Sequence, residues 1–138
     1  MGASYVVGMR IPRAQLERLI AHAQEEAPYE CCGYARMDGG RIEEVFRGES
    51  ARRSKWGFEF GRATMEAAMQ LDGTGHGVAV YHSHPKSEAV PSQQDKNVAN
   101  PMLEHWLNLI VSLADEPHVR AWWLKADGRV EEEPLEVD

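Results

Sequence analysis

The sequence predicts a layered α/β fold with a mixed sheet. Three observations carry that expectation. Short alternating stretches with the period of a strand recur along the chain, two stretches repeat apolar residues at helical spacing, and two continuous apolar runs read as strands buried on both faces. With 138 residues, one domain over 1–138 can bury about two thirds of the surface its unfolded chain exposes.

Taken in order, Val7, Met9 and Ile11 alternate with small or polar neighbours and predict a first short strand. Pro12 suits the first position of a helix. Leu16, Leu19, Ile20, Ala23 and Ala27 then repeat at helical spacing up to Pro28. His22 lies on this helix and is expected to be exposed. Residues 31–37 and 41–46 read as a strand pair joined by Asp38-Gly39-Gly40. Residues 48–55 are polar and turn-rich, and Trp56, Phe58 and Phe60 alternate as a strand would. Met65, Ala68, Met69 and Leu71 predict a second helix ended by Asp72-Gly73, with the methionines as core filler. The apolar run Val78-Ala79-Val80-Tyr81 begins a strand that Pro85 ends. A short helix over 92–100 follows, stopped by Pro101. Residues 107–113 and 119–125 read as strands, the latter with Trp122 and Trp123 on opposite faces. Asp127-Gly128 turns the chain into a last strand over 129–137.

Composition excludes several functions. Charged residues at 27% and hydrophobic ones at 43% are ordinary proportions for a soluble globular chain, so no disulfide staple is needed. A formal net charge of −7 argues against a nucleic-acid partner, since Arg52, Arg53 and Lys55 form the only basic cluster. No run of 18 apolar residues suggests a membrane span, and the first residues lack a secretion-signal layout. The two cysteines, Cys31 and Cys32, are adjacent, which suits neither a disulfide framework nor a zinc ribbon; a reducing cytoplasm is the expected location.

The chemistry-bearing stretch is His82-Ser83-His84-Pro85 with Pro91-Ser92-Gln93-Gln94-Asp95. On a strand His82 and His84 share a face, and Ser83 takes the other, where it is expected to be supporting structure. Ser92 reads as the N-cap of the next helix and places Asp95 at its first turn. Two imidazoles and a carboxylate are three ligands of the kind zinc prefers, with a fourth position left for water. Each part has a plainer reading: the histidines facing solvent, Ser92-x-x-Asp95 as a capping box, and Glu30 as a solvated strand end. His76, His105 and His118 have no partner at ligand spacing.

His82-x-His84, seven residues, Ser92, two residues and Asp95 resembles the signature of the JAMM (MPN+) metallopeptidases, and Pro85 follows the second histidine as in the wider family. Pro28-Tyr29-Glu30-Cys31-Cys32-Gly33 is similar to the glutamate segment of its bacterial members. The resemblance spans most of the chain. It implies a curved mixed sheet flanked by helices, related to the cytidine-deaminase fold, with Zn²⁺ held by His82, His84 and Asp95. It also implies Glu30 as the general base and Ser92 as a hydroxyl donor to the developing oxyanion. The implied reaction is hydrolysis of an amide bond after the C-terminal Gly-Gly of a ubiquitin-like or sulfur-carrier protein, releasing an amino acid such as cysteine. Such a tail is expected to bind by strand addition, and residues 56–60 are a strand edge that could take it. The rival reading from another class is a non-catalytic scaffold of the same fold. A deaminase would need a Cys-x-x-Cys ligand pair, which Cys31-Cys32 does not supply.

Overall fold

A computed structural model describes residues 8–52, 54, 55, 57–97 and 104–138. The chain runs β1 (Met9–Ile11), α1 (Arg13–Glu26), β2 (Cys32–Asp38), β3 (Arg41–Arg47), α2 (Arg62–Gly73), β4 (Gly77–His84), α3 (Gln93–Asn97), β5 (Leu107–Ser112), β6 (His118–Leu124), β7 (Val130–Glu133) and β8 (Leu135–Val137). All eight strands form one mixed sheet in the order β7-β6-β5-β4-β2-β3-β1-β8. β4 pairs with β5 in parallel and with β2 antiparallel, which puts it in the middle of the sheet.

The expected last strand is broken in two. Pro134 has no N–H for a ladder, and at that residue the chain leaves one edge of the sheet for the other. β7 pairs with β6 while β8 pairs with β1, so the two outermost strands are one residue apart in sequence and the sheet curls until it is nearly closed. The β2–β3 connection needs two positive φ angles, 59° at Gly39 and 77° at Gly40, which glycine adopts without a Cβ penalty.

Residues 57–59 do not form the expected strand; Phe60 makes only an isolated bridge to Ser50. Glycine at 57 and the edge-to-face packing of Phe58 and Phe60, 4.8 Å between centroids, favour a compact loop over an extended edge. Pro12 caps α1 from outside and does not open it, a shift of one residue. Val7, Arg53, Trp56 and residues 98–101, on which part of these expectations fell, lie outside the described residues.

Strand β4 divides the interior. Ala79 and Tyr81 pack into one cluster with Leu19 and Ala23 of α1 and with Leu107, Leu109 and Val111 of β5. Val78 and Val80 point the other way, into a cluster with Ala68 of α2 and Trp106, flanked by Met65 and Leu71. Because the strand period is two, His82 and His84 continue the α2-facing row and Ser83 the α1-facing row. All seven residues from Val78 to His84 are buried, as expected for a central strand covered on both sides.

Candidate metal centre

The side chains of His82 and His84 emerge at the C-terminal end of β4, where the α2-facing row runs out of apolar residues. His82 is 3% exposed, His84 5% and Asp95 6%. Nε2 of His82 lies 3.1 Å from Nε2 of His84, and Oδ2 of Asp95 lies 3.1 Å from the first and 3.2 Å from the second. Three ligand atoms thus form a nearly equilateral triangle inside the protein. Ligands about 2.0–2.1 Å from one tetrahedral ion stand about 3.3 Å apart, close to this spacing.

The surroundings fix which atoms are offered. Nδ1 of His84 is 2.7 Å from the carbonyl of Glu88, to which only a protonated nitrogen can bond, so Nδ1 donates there and Nε2 keeps a lone pair for the centre. Phe58 stacks on the His82 ring at 4.4 Å with 20° between planes and holds it in place. Asp95 is set by a reciprocal cap: Ser92 N–H donates to Asp95 Oδ2 at 2.9 Å, and Asp95 N–H donates to Ser92 Oγ at 3.1 Å. The plainer reading of Ser92 is therefore realised, through its hydroxyl oxygen. Because that oxygen only accepts there, the hydroxyl proton remains free to donate elsewhere.

Charge follows from burial and these contacts. Burial holds His82 below its ordinary value, which keeps it neutral and a competent ligand. Burial also pulls on His84, but the Asp95 carboxylate and the Glu88 carbonyl outweigh it and its pKa is raised. Burial pushes the other way on Asp95, yet its contacts with both imidazoles keep it ionised well below the usual carboxylate range. A buried carboxylate with two imidazole nitrogens aimed at one point, one nitrogen already committed as an acceptor, is a donor set that fits a divalent cation.

Glu30 reaches the same place from the other side. It stands two residues before β2, where Cys32 pairs with His82. Ser83 ties it down by two bonds to the neighbouring residue: Ser83 N–H donates to the Cys31 carbonyl at 3.1 Å, and Cys31 N–H donates to Ser83 Oγ at 2.8 Å. The expectation that Ser83 supports the site from the opposite face is met in this way. Gly33 belongs to the same arrangement, since a Cβ there would fall 2.4 Å from the Tyr81 ring and from the Phe46 carbonyl. Ligand atoms of Glu30, His82 and His84 all lie within 4.8 Å of one another. Burial raises the Glu30 carboxyl to a pKa of about 7, with His84 opposing and Asp95 adding to the shift.

Glu30, His84 and Ser92 line a cleft of about 520 Å³ beside the triangle. Pro85, Lys86 and Ser87 also line it, from the loop over 85–91, which the sequence showed only as a loop. Three side-chain donors hold that loop by successive carbonyls: Ser112 to Ser87 at 2.7 Å, His84 to Glu88 and Trp122 to Ala89 at 2.9 Å. Neither these anchors nor Phe58 announces itself in the sequence, since each depends on contacts between distant segments.

The remaining histidines stay away from the triangle. His76 pairs with Asp38, His105 with Asp72, and His118 bonds the Glu116 carbonyl. His22 corrects an expectation: it is 5% exposed, with Nδ1 2.7 Å from the Tyr81 hydroxyl. It follows Leu19 by three residues, so it shares the buried edge of α1 with Leu19 and Ala23 and meets β4 at Tyr81, while Glu17, Arg18, Gln24 and Glu25 stay exposed. Burial raises the thiols of Cys31 to about 11 and Cys32 to about 12, so both stay protonated. No helix among the described residues is long and apolar enough to cross a membrane.

Comparison with known proteins agrees with this architecture. Residues 12–125 match the family described as prokaryotic homologs of the JAB domain. The chain is 32% identical over 144 residues to the CysO-cysteine peptidase of Mycobacterium tuberculosis, covering 99% of this chain and 94% of that one. Among solved structures, a protein from Desulfitobacterium hafniense superposes with a TM-score of 0.75 at 28% identity, covering 94% of this chain and 92% of that one. A structure described as JAMM, a metalloprotease-like zinc site in the proteasome and signalosome, superposes with a TM-score of 0.57 at 20% identity over 96% of this chain and 99% of that one, a likeness of fold.

Proposed function

Because the chain belongs to the family of prokaryotic homologs of the JAB domain, we propose that it is a zinc-dependent peptidase. Its substrate in this reading is a small ubiquitin-like sulfur-carrier protein, cut after the C-terminal Gly-Gly so that a single amino acid such as cysteine is released. The observation that carries the reading is the triangle of His82 Nε2, His84 Nε2 and Asp95 Oδ2, with Glu30 beside it at the head of an open cleft. The substrate class is supported by the CysO-cysteine peptidase relative, which this chain matches almost end to end.

In this reading His82, His84 and Asp95 hold Zn²⁺. The ion would supply Lewis acidity and lower the pKa of a bound water to about 7, within reach of neutral pH. Glu30 takes the water's proton and returns it to the departing amine; a carboxyl poised at about 7 serves both directions near neutral pH. Ser92 donates its hydroxyl proton to the oxyanion that develops on the former carbonyl, while its oxygen keeps the cap on Asp95. Phe58 and the Glu88 carbonyl keep the two imidazoles from turning.

The test is incubation of the zinc-loaded protein with sulfur-carrier proteins that end in Gly-Gly-Cys, followed by intact mass. The expected product is the carrier shortened by one cysteine, with no change in the presence of chelator and recovery when zinc is returned. A protein that takes up no zinc would favour the scaffold reading instead.

A further inference from the structure

We propose that Lys55 and Lys86 form a subsite for the α-carboxylate of the departing residue, so that the site removes one free C-terminal amino acid and disfavours capped or extended tails. This rests on the hydrolase reading above and adds the side of the scissile bond on which specificity is read. The two lysines line the same cleft as Glu30, His84 and Ser92, one from the segment before residue 57 and the other from the loop after β4. The chain has four lysines and a formal charge of −7, yet half of its lysines face this one cleft. Arg36, Arg41, Arg47, Arg62, Arg120 and Arg129 are all ion-paired with carboxylates of the same chain. Among the described residues Lys55 and Lys86 have no hydrogen bond or ion pair, and Glu30 is the only carboxylate that lines the cleft.

The chemistry of the two halves of the substrate decides what those charges meet. A Gly-Gly tail is uncharged and gives a lysine nothing to pair with. The amino acid that leaves carries a carboxylate at its far end, and ammonium groups on flexible stems can reach it from two sides. A cleft of about 520 Å³ is of the size that small-molecule sites have, with room for the departing amino acid. A smaller pocket of about 230 Å³ shares Gln94 with the cleft and is lined by Phe58, Glu59, Phe60, Met65 and Asp95; among the described residues it has no lysine or arginine, and its two carboxylates would repel another.

The experiment compares two carriers that differ only at the end, Gly-Gly-Cys with a free carboxylate and the same tail as its C-terminal amide. With the zinc-loaded protein at low salt, kcat/KM is expected to favour the free acid about tenfold, equivalent to about 1.4 kcal/mol. The ratio should shrink at high salt. In the Lys55→Gln/Lys86→Gln double variant it should fall toward one, and Lys55→Arg/Lys86→Arg should keep most of it. A second measurement needs no turnover: the tripeptide Gly-Gly-Ser, as acid and as amide, is titrated into metal-free protein and followed by amide shifts around Lys86. The acid is expected to bind several-fold tighter. Brisk cleavage of both carriers at equal rates, or an acid preference that survives in the double glutamine variant, would overturn the subsite and leave the hydrolase standing. If the zinc-loaded protein cuts neither carrier, the hydrolase reading and the subsite fall together.

Discussion

The two faces of β4 each hold buried histidine, and they use it differently. On the α1 side His22 meets one partner, the Tyr81 hydroxyl, which can donate to or accept from the ring. Such a pair is complete. On the α2 side His82 and His84 meet each other and Asp95, and the Nδ1–H of His84 already donates its hydrogen bond to the Glu88 carbonyl. What remains is a surplus of lone pairs around one point. Burial alone therefore does not mark a site; the balance of donors and acceptors does, and only the second face has an imbalance a cation would correct.

The largest expected effect breaks that imbalance. His84→Ala should lower zinc affinity by at least about 100-fold, since even the groups behind a metal ligand are worth about 10–100-fold. Cleavage should fall to background with it. His22→Ala, the matching change on the other face, should lower the melting temperature and keep zinc content at wild type. Equal zinc loss in both variants would mean that the two faces are not distinct.

Next comes Glu30→Gln, which separates holding a metal from using it. Zinc content should persist while kcat falls by about 10²–10⁴, the usual worth of a positioned acid–base group. The same variant should be more stable in metal-free form. A carboxyl whose pKa is higher in the fold than in the unfolded chain binds its proton more readily when folded. Its contribution is then fully present below the ordinary value of 4.5 and is lost as the pH rises through about 7. The gap in melting temperature between variant and wild type should widen between those two values and then level off. A gap that does not change with pH would show that burial leaves Glu30 untouched.

Much of this was legible in the sequence, and the parts that were not share a cause. His82, His84, Ser92 and Asp95 could be placed because strand period and helix capping are local rules, and the triangle follows from one strand and one cap. Glu30 could not be placed that way: its plain reading was a solvated strand end, and only pairing of Cys32 with His82 and the Ser83 clamp bring it over. Pro134 was visible, but its consequence was not, because the edges it joins are set by the order of the whole sheet. The strand expected over 56–60 failed for a related reason. Alternating aromatics look alike whether they line a sheet or, like Phe58, cover an imidazole.

The smallest effect sharpens the comparison from the quiet side. Tyr81→Phe removes the hydroxyl 2.7 Å from His22 Nδ1 and leaves a buried ring nitrogen without its partner. An unsatisfied buried group costs about 1–3 kcal/mol, and His22 lines a cavity of about 320 Å³ where water can stand in, so the lower end applies. For a chain of this length that is a drop of about 3–4 °C in melting temperature. Zinc content and the rate of carrier cleavage should not change, because the hydroxyl lies on the α1 face with no atom in the triangle. Differential scanning calorimetry beside metal analysis reads both at once. A loss of zinc from this single oxygen would show that β4 transmits strain from one face to the other, and that the separation drawn between them is one of distance only.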